Sequence, residues 1–247
     1  MIYICIPVHN EARTIGVLLW KIRNVMQEFG RDYEVLVLND GSDDDTSEAL
    51  GRYKKSLPMM VIEEATSVGY ARGIEKLIRL ALQRTNYPKR DSVVTIQGDF
   101  TEHPEHIVSL VKTLEGGADV VAGSVEKGRA VVPRPVRVAR LLAPLLLGKA
   151  HRAAPVSDPL CGFRAYRLIV LRKALRAMGA GPLVNWDGWA ANLQLLAVSA
   201  APARRIEEVP VDLRYDIRER ESRFSAVRTL RGLMRVRNGK MWTPVES

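Results

Sequence analysis

Apolar residues in the first half of the chain fall into short continuous runs, separated by longer stretches where they recur at helical spacing. Ile2 to Val8, Tyr33 to Asn39, Met59 to Glu63, Ser92 to Gln97 and Ala118 to Gly123 are too short and too continuous for amphipathic helices, so each predicts a buried strand. Between them, Ala12 to Phe29, Thr46 to Tyr53, Val68 to Gln83 and Pro104 to Leu114 predict helices. Alternating strand and helix predicts an α/β fold, a mainly parallel twisted sheet with helices on both faces. In such sheets ligands bind at the carboxyl ends of the strands, so the chemistry is expected in the loops that leave them.

Beyond Gly123 the alternation stops. A basic loop leads into P-V-R-V-A-R-L-L-A-P-L-L-L-G (135–148), a short amphipathic helix interrupted by Pro144. A turn, V-S-D-P-L-C-G-F-R-A-Y-R (156–167), precedes helices near Leu168 to Met178 and Trp186 to Ala200, a strand near Arg205 to Val211, and a basic C-terminal helix. There is no internal repeat and no low-complexity tract.

Composition narrows the reading. The 247 residues suit one domain with a small appendage, and 47% hydrophobic with 6% aromatic residues predicts an aliphatic core. Cys5 and Cys161 are too few for a disulfide scaffold and suit a reducing compartment. The opening I-Y-I-C-I-P-V is too short for a secretory apolar region, and no run reaches the length of a membrane span, so the expected location is cytoplasmic. Lys and Arg number 37 against 28 Asp and Glu, and the excess is local: seven basic and no acidic residues from Lys127 to Arg152, six and none from Ser222 to Lys240. Such patches meet phosphorylated ligands or anionic lipid, or are simply solvated. Nucleic acid is not expected, because no zinc pattern, aromatic RNA-binding motif or helix-turn-helix accompanies the charge.

Three predicted strands end in polar clusters: P-V-H-N-E (7–11), N-D-G-S-D-D-D-T (39–46) and Q-G-D (97–99). A lone Asp at a strand end usually caps the next helix or forms a turn, so each cluster alone is ordinary. As an ordered set, joined by G-Y-A-R-G (69–73), H-P (103–104), G-S (123–124), D-P-L-C-G-F-R (158–164) and E-V-P (208–210), they resemble the family 2 glycosyltransferases of GT-A fold. The likeness is greatest to the polyprenyl-phosphate sugar synthases, such as dolichol-phosphate mannose or glucose synthase, and extends to about Phe224.

The resemblance implies a GT-A, Rossmann-like domain over 1–221, with a nucleotide-sugar-binding half (1–123), an acceptor-side elaboration (124–221) and a basic helix and tail (222–247). It implies an inverting enzyme that moves a hexose from a GDP- or UDP-hexose to a polyprenyl phosphate. Pro7, Asn10, Glu11, Asn39, Asp40, Ser42, Gly69, Arg72, Gln97, Gly98 and Asp99 would surround the nucleotide sugar, and Asp99 with Gln97 would hold Mg2+ or Mn2+. Asp158 and Arg164 would be catalytic. An acceptor phosphate is already ionised and needs positioning more than a base, for which Arg134, Arg140, Arg218, Arg220 and Arg223 are candidates.

Four amides stand where the family often carries carboxylates: Asn39, Gln97, Asn192 and Gln194. An amide keeps hydrogen bonding but loses charge, which predicts weak metal binding, with Thr101 partly compensating. Two other readings stay open, transfer to a hydroxyl of a soluble small molecule or glycan, and a non-catalytic nucleotide-sugar-binding scaffold or regulatory subunit. The helix beginning at Arg134 and the residues Arg228, Arg231 and Arg235 combine cations with apolar neighbours, which suits peripheral contact with the inner face of a membrane; the alternative is that Leu141, Leu142, Leu145 and Leu146 are core. Trp186 and Trp189 either stack on a ligand or pack, and His9, His103, His106 and His151 lack metal-site spacing.

Overall fold

The structure, a computed structural model, describes residues 1–125, 133, 136–138, 140, 142, 156–186 and 188–215. Its strands are β1 (Ile2–Val8), β2 (Tyr33–Asp40), β3 (Met59–Glu64), β4 (Ser92–Thr95), β5 (Val120–Val125), β6 (Arg164–Arg167) and β7 (Ile206–Val211). Its helices are α1 (Ile15–Phe29), α2 (Thr46–Tyr53), α3 (Tyr70–Arg84), α4 (His106–Glu115), α5 (Leu168–Met178) and α6 (Trp189–Ala200). The strands form one sheet in the order β3-β2-β1-β4-β6-β5-β7. Pairing is parallel except on the two sides of β6, which runs antiparallel to β4 and β5.

The apolar runs form strands because successive side chains enter different cores. On β1, Tyr3 and Cys5 join Leu36 and Leu38 on the face covered by α3, α5 and α6. Ile4, Ile6 and Val8 join Val35 and Val37 on the opposite face, where Leu18, Leu19 and Ile22 of α1 and Leu110 of α4 close over them. Burial on both faces explains why these runs show no alternation.

The predicted architecture is present, with differences at the edges. The residues 12–14 form a turn before α1, where Ile15 N–H donates to the Glu11 carbonyl at 2.9 Å. β4 stops at Thr95, so Gln97 lies in the loop. β5 runs to Val125, continuous across position 123, so the two halves expected from the sequence share one sheet.

β6 is the strand that hydrophobic patterning missed. Ala165 and Tyr166 enter opposite cores, but the arginines that flank them hide the run. Arg167 satisfies its guanidinium on carbonyl oxygens of Ala118, Lys89 and Leu114. Through β6 the D-P-L-C-G-F-R segment is brought beside β4, next to the first-half loops. Among the described residues no helix is long and apolar enough to cross a membrane.

Candidate active site

The loops leaving β1, β2 and β4 are stitched to one another. The His9 ring donates from Nδ1 to the Asp40 carbonyl at 2.7 Å, since a carbonyl can only accept. Asn10 N–H donates to Ser42 Oγ at 2.9 Å, Glu11 N–H to Thr46 Oγ1 at 2.9 Å, and Ala12 N–H to Asp44 at 3.2 Å. The hydroxyl of Thr14 lies 2.8 Å from Glu11 Oε2 and 3.2 Å from the Gly98 carbonyl, which joins the first loop to the fourth strand's end. Three polar clusters far apart in sequence thus make one rim at the carboxyl ends of parallel strands, the place where such folds bind ligands.

Within the rim, Asp40 is a backbone anchor. Its carboxylate accepts from Val68 N–H at 2.6 Å, Gly69 N–H at 3.1 Å and Ser67 Oγ at 2.8 Å, which fixes the entry to α3. Gly69 adopts a φ of +87°, a conformation that favours glycine. Pro7 and Ser42 are half-buried at the rim, and Arg72 is exposed on the first turn of α3. Asn39 is buried; its amide donates to Glu63 Oε2 and Ser47 Oγ, both at 2.7 Å, and its oxygen accepts from Ser42 at 2.5 Å.

The Q-G-D-F-T-E loop is tightly organised. Asp99 is buried, and its Oδ1 accepts from Thr101 N–H at 3.1 Å and Thr101 Oγ1 at 2.6 Å, an Asx turn rather than a cap of α4, which starts at His106. Between them Phe100 has a φ of +60°, a bulky residue held in the left-handed region at a cost of about 1–2 kcal/mol. Gly98 lies where a β-carbon would come within 2.6 Å of Val8 Cγ1. Gln97 is half-buried, and its N–H donates to Glu102 Oε2 at 2.8 Å.

Glu102 was not singled out from the sequence, yet it belongs to this loop. It is 2% exposed, and its carboxyl is pushed up to about 8 by burial and by Asp99, against the Gln97 N–H bond and the Arg140 and Arg164 charges. Its acidity and its position next to the Q-G-D cluster were the available signals.

In the D-P-L-C-G-F-R segment, Asp158 is paired with Arg140. The other Asp158 oxygen accepts from Leu160 N–H at 3.1 Å and Cys161 N–H at 3.2 Å, the turn expected of an Asp before proline. The Arg140 guanidinium also stands over Trp189, 5.3 Å from its ring centroid, and its buried Nε has no hydrogen-bond partner among the described residues. Glu208 of E-V-P accepts from Ser157 N–H and Oγ, both at 2.7 Å, and so ties this loop to β7. Arg164 is fully buried, donating to the carbonyls of Asn192 and, at 2.7 Å, Pro159. It lies beneath the 158–163 loop rather than at its surface.

Trp186 and Trp189 are half-buried; Gln194 Oε1 accepts from Asn185 N–H at 2.7 Å and Trp186 N–H at 3.2 Å. Val138 and Leu142, four apart in the helical residues 136–138, 140 and 142, are 52% and 36% exposed. Arg134, Arg218, Arg220, Arg223, Arg228, Arg231, Arg235, His151, Leu141, Leu145 and Leu146 lie outside the described residues.

Comparison with known proteins places the chain in a family. The chain is 28% identical over 208 residues to an undecaprenyl-phosphate 4-deoxy-4-formamido-L-arabinose transferase of Edwardsiella ictaluri, a match over 84% of this chain and 58% of the relative. It is 27% identical to the protein of the same name from Klebsiella pneumoniae, again over 84% and 58%. The chain therefore spans under three fifths of the length of these curated relatives. Among solved structures it resembles glucosyl-3-phosphoglycerate synthase from Mycobacterium tuberculosis, crystallised with Mn2+, uridine diphosphate and phosphoglyceric acid: TM-score 0.62, 20% identity, 97% of this chain and 78% of that one. At that identity the likeness speaks for the GT-A fold. The family model for glycosyl transferase family 2 matches residues 3–175, well over half of the sequence, and the chain belongs to that family.

Proposed function

We propose that the protein transfers a sugar, with inversion, from a nucleoside diphosphate sugar to a polyprenyl phosphate. The observation that carries the reading is the joined rim, in which His9–Asp40, Asn10–Ser42 and Thr14–Gly98 hold the ends of β1, β2 and β4 together around Asp99. The names of the curated relatives, which are undecaprenyl-phosphate sugar transferases, support the acceptor class. Their sugar is a five-carbon one, whereas the motifs led to a hexose, so both belong among the donors tested.

The residues of the Q-G-D loop fit a hard cation that arrives with the substrate. Asp99 offers a carboxylate whose orientation is set by Thr101, and Gln97 a neutral amide oxygen; Mg2+ and Mn2+ accept one carboxylate when phosphate oxygens complete the shell. Such a cation would neutralise the departing nucleoside diphosphate. Asp40 shapes the loop at Val68–Gly69 against which the nucleotide would lie.

The acceptor side favours a phosphate over a hydroxyl. A hydroxyl needs a base, yet Asp158 is held in a buried ion pair and two backbone bonds, and Asn192 and Gln194 are amides. A phosphate oxygen needs only cationic positioning, which the Arg140 guanidinium, whose buried Nε has no hydrogen-bond partner among the described residues, would supply. Val138, Leu142 and the exposed Arg137 suit contact with the membrane that carries a lipid acceptor.

The test is a panel of UDP- and GDP-sugars with Mg2+ or Mn2+, with and without a short polyprenyl phosphate, read as released nucleoside diphosphate. Lipid-dependent release is expected. Release driven by a soluble hydroxyl acceptor would establish the second reading, and binding without release the non-catalytic one.

A further inference from the structure

A hydrogen bond between two side chains runs from the loop beside the expected nucleotide site to the segment expected to face the acceptor. Tyr70 directly follows Gly69, the residue whose N–H is held by Asp40, and its hydroxyl donates to Asn192 Oδ1 at 2.7 Å. Asn192 Nδ2 in turn donates to the Leu160 carbonyl at 3.1 Å, two residues beyond Asp158. The direction of this chain is fixed chemically. A carbonyl can only accept, so Nδ2 must face Leu160, and Oδ1 is left for the tyrosine. Burial, reinforced by the nearby Glu102, pushes the Tyr70 hydroxyl up, so it stays protonated and able to donate.

The surroundings are built around this amide. Asn192 is 3% exposed, and a β-carbon at Gly162 would come within 2.9 Å of its Nδ2, so the glycine of C-G-F-R is what makes room for it. Arg164 spans the same two segments a second time, from the Asn192 carbonyl to the Pro159 carbonyl. Glu75 of α3 supports the loop before α6, accepting from Leu183 N–H at 2.8 Å.

We propose that Asn192 is a positioning residue, linked through Tyr70 to the nucleotide loop and through Leu160 to Asp158, so that nucleoside diphosphate binding orders the acceptor loop. The inference rests on the function proposed above. It also accounts for one departure from the family pattern. An aspartate at 192 is an acceptor only and would face the Leu160 carbonyl with no proton to share, whereas asparagine can accept from one side and donate to the other.

Coupling between two sites is reciprocal and typically amounts to 5–150-fold in affinity. The test is hydrogen exchange of the peptide spanning 156–164, measured with and without saturating UDP or GDP plus Mn2+, in the wild type, Tyr70→Phe and Asn192→Asp. Nucleotide is expected to slow exchange of the Leu160 and Cys161 amides about fivefold or more in the wild type. Tyr70→Phe, which removes one hydroxyl from a folded protein, is expected to bind nucleotide but to lose that response, as is Asn192→Asp. Equal responses in wild type and Tyr70→Phe overturn the relay, as does nucleotide binding with no response in the wild type. Failure of either nucleotide to bind the wild type instead overturns the functional reading, and the relay with it.

Discussion

Asn39 and Glu63 stand directly opposite each other on the parallel strands β2 and β3, and the Asn39 amide donates to the Glu63 carboxylate at 2.7 Å. The amide at this motif position is therefore matched to its neighbour. An aspartate there would set two carboxylates against each other, and like charges directly opposite on a sheet are destabilising. Asn39→Asp is expected to cost about 1 kcal/mol, and adding Glu63→Gln to restore most of it. Urea unfolding of the two single variants and the double variant measures the coupling.

Asp40 holds three donors with two oxygens. In Asp40→Asn one oxygen becomes an NH2 group, which must confront an N–H or a hydroxyl it cannot accept from, and charge-assisted bonds are lost. The expected cost is about 2 kcal/mol in stability, with a larger loss in donor KM than in acceptor KM because the altered loop is the one entering α3. Denaturation midpoints and initial rates at varied donor concentration check both parts.

The Arg140–Asp158 pair is largely buried, with side-chain exposures of 14% and 11%. Removing one partner strands the other charge, so Asp158→Ala or Arg140→Ala alone should cost about 3 kcal/mol, while the double replacement costs less than the sum. A double-mutant cycle in chemical denaturation gives the answer. Transfer activity is expected to fall in each variant, with the acceptor KM affected more than the donor KM.

Glu102 makes stability depend on pH. Its carboxyl is raised from 4.5 to about 8, so between these values the folded protein keeps a proton that the unfolded chain releases. Stability from this group is therefore present below about 4.5 and is lost as pH rises towards about 8. The groups facing it are Asp99, Arg140, Arg164 and the Gln97 N–H. In Glu102→Gln the decline across that window should flatten, as read from urea midpoints between pH 5 and 8 (about one value per half unit).

β1, β2, β4 and β5 were legible in the sequence because each is buried on both faces, and an unbroken apolar run is the direct signature of that burial; β3, at the sheet edge, is only half-buried. The strand-end clusters were legible because their polarity interrupts those runs at a fixed place in the fold. β6 was not, because Arg164 is buried and Arg167 half-buried on carbonyl oxygens that come mostly from distant segments, which no local pattern carries. The same holds for Glu102, whose meaning comes from Gln97, Arg140 and Arg164, and for Asn192, whose partner Tyr70 lies 122 positions away. Read locally, Asn192 was a departure from a pattern; with its partners in place it is a donor and an acceptor in one side chain.

The most direct measurement of the central claim is transfer of radiolabelled sugar from a nucleoside diphosphate sugar into the butanol-extractable fraction with a short polyprenyl phosphate, by the wild type and by Asp99→Ala. Lipid-dependent, divalent-cation-stimulated label is expected in the organic phase with the wild type, and a loss of at least about a hundredfold in the variant, whose far-ultraviolet dichroism and melting transition stay those of a folded protein. Absence of extractable label across UDP- and GDP-sugars, or undiminished transfer by folded Asp99→Ala, would contradict the claim.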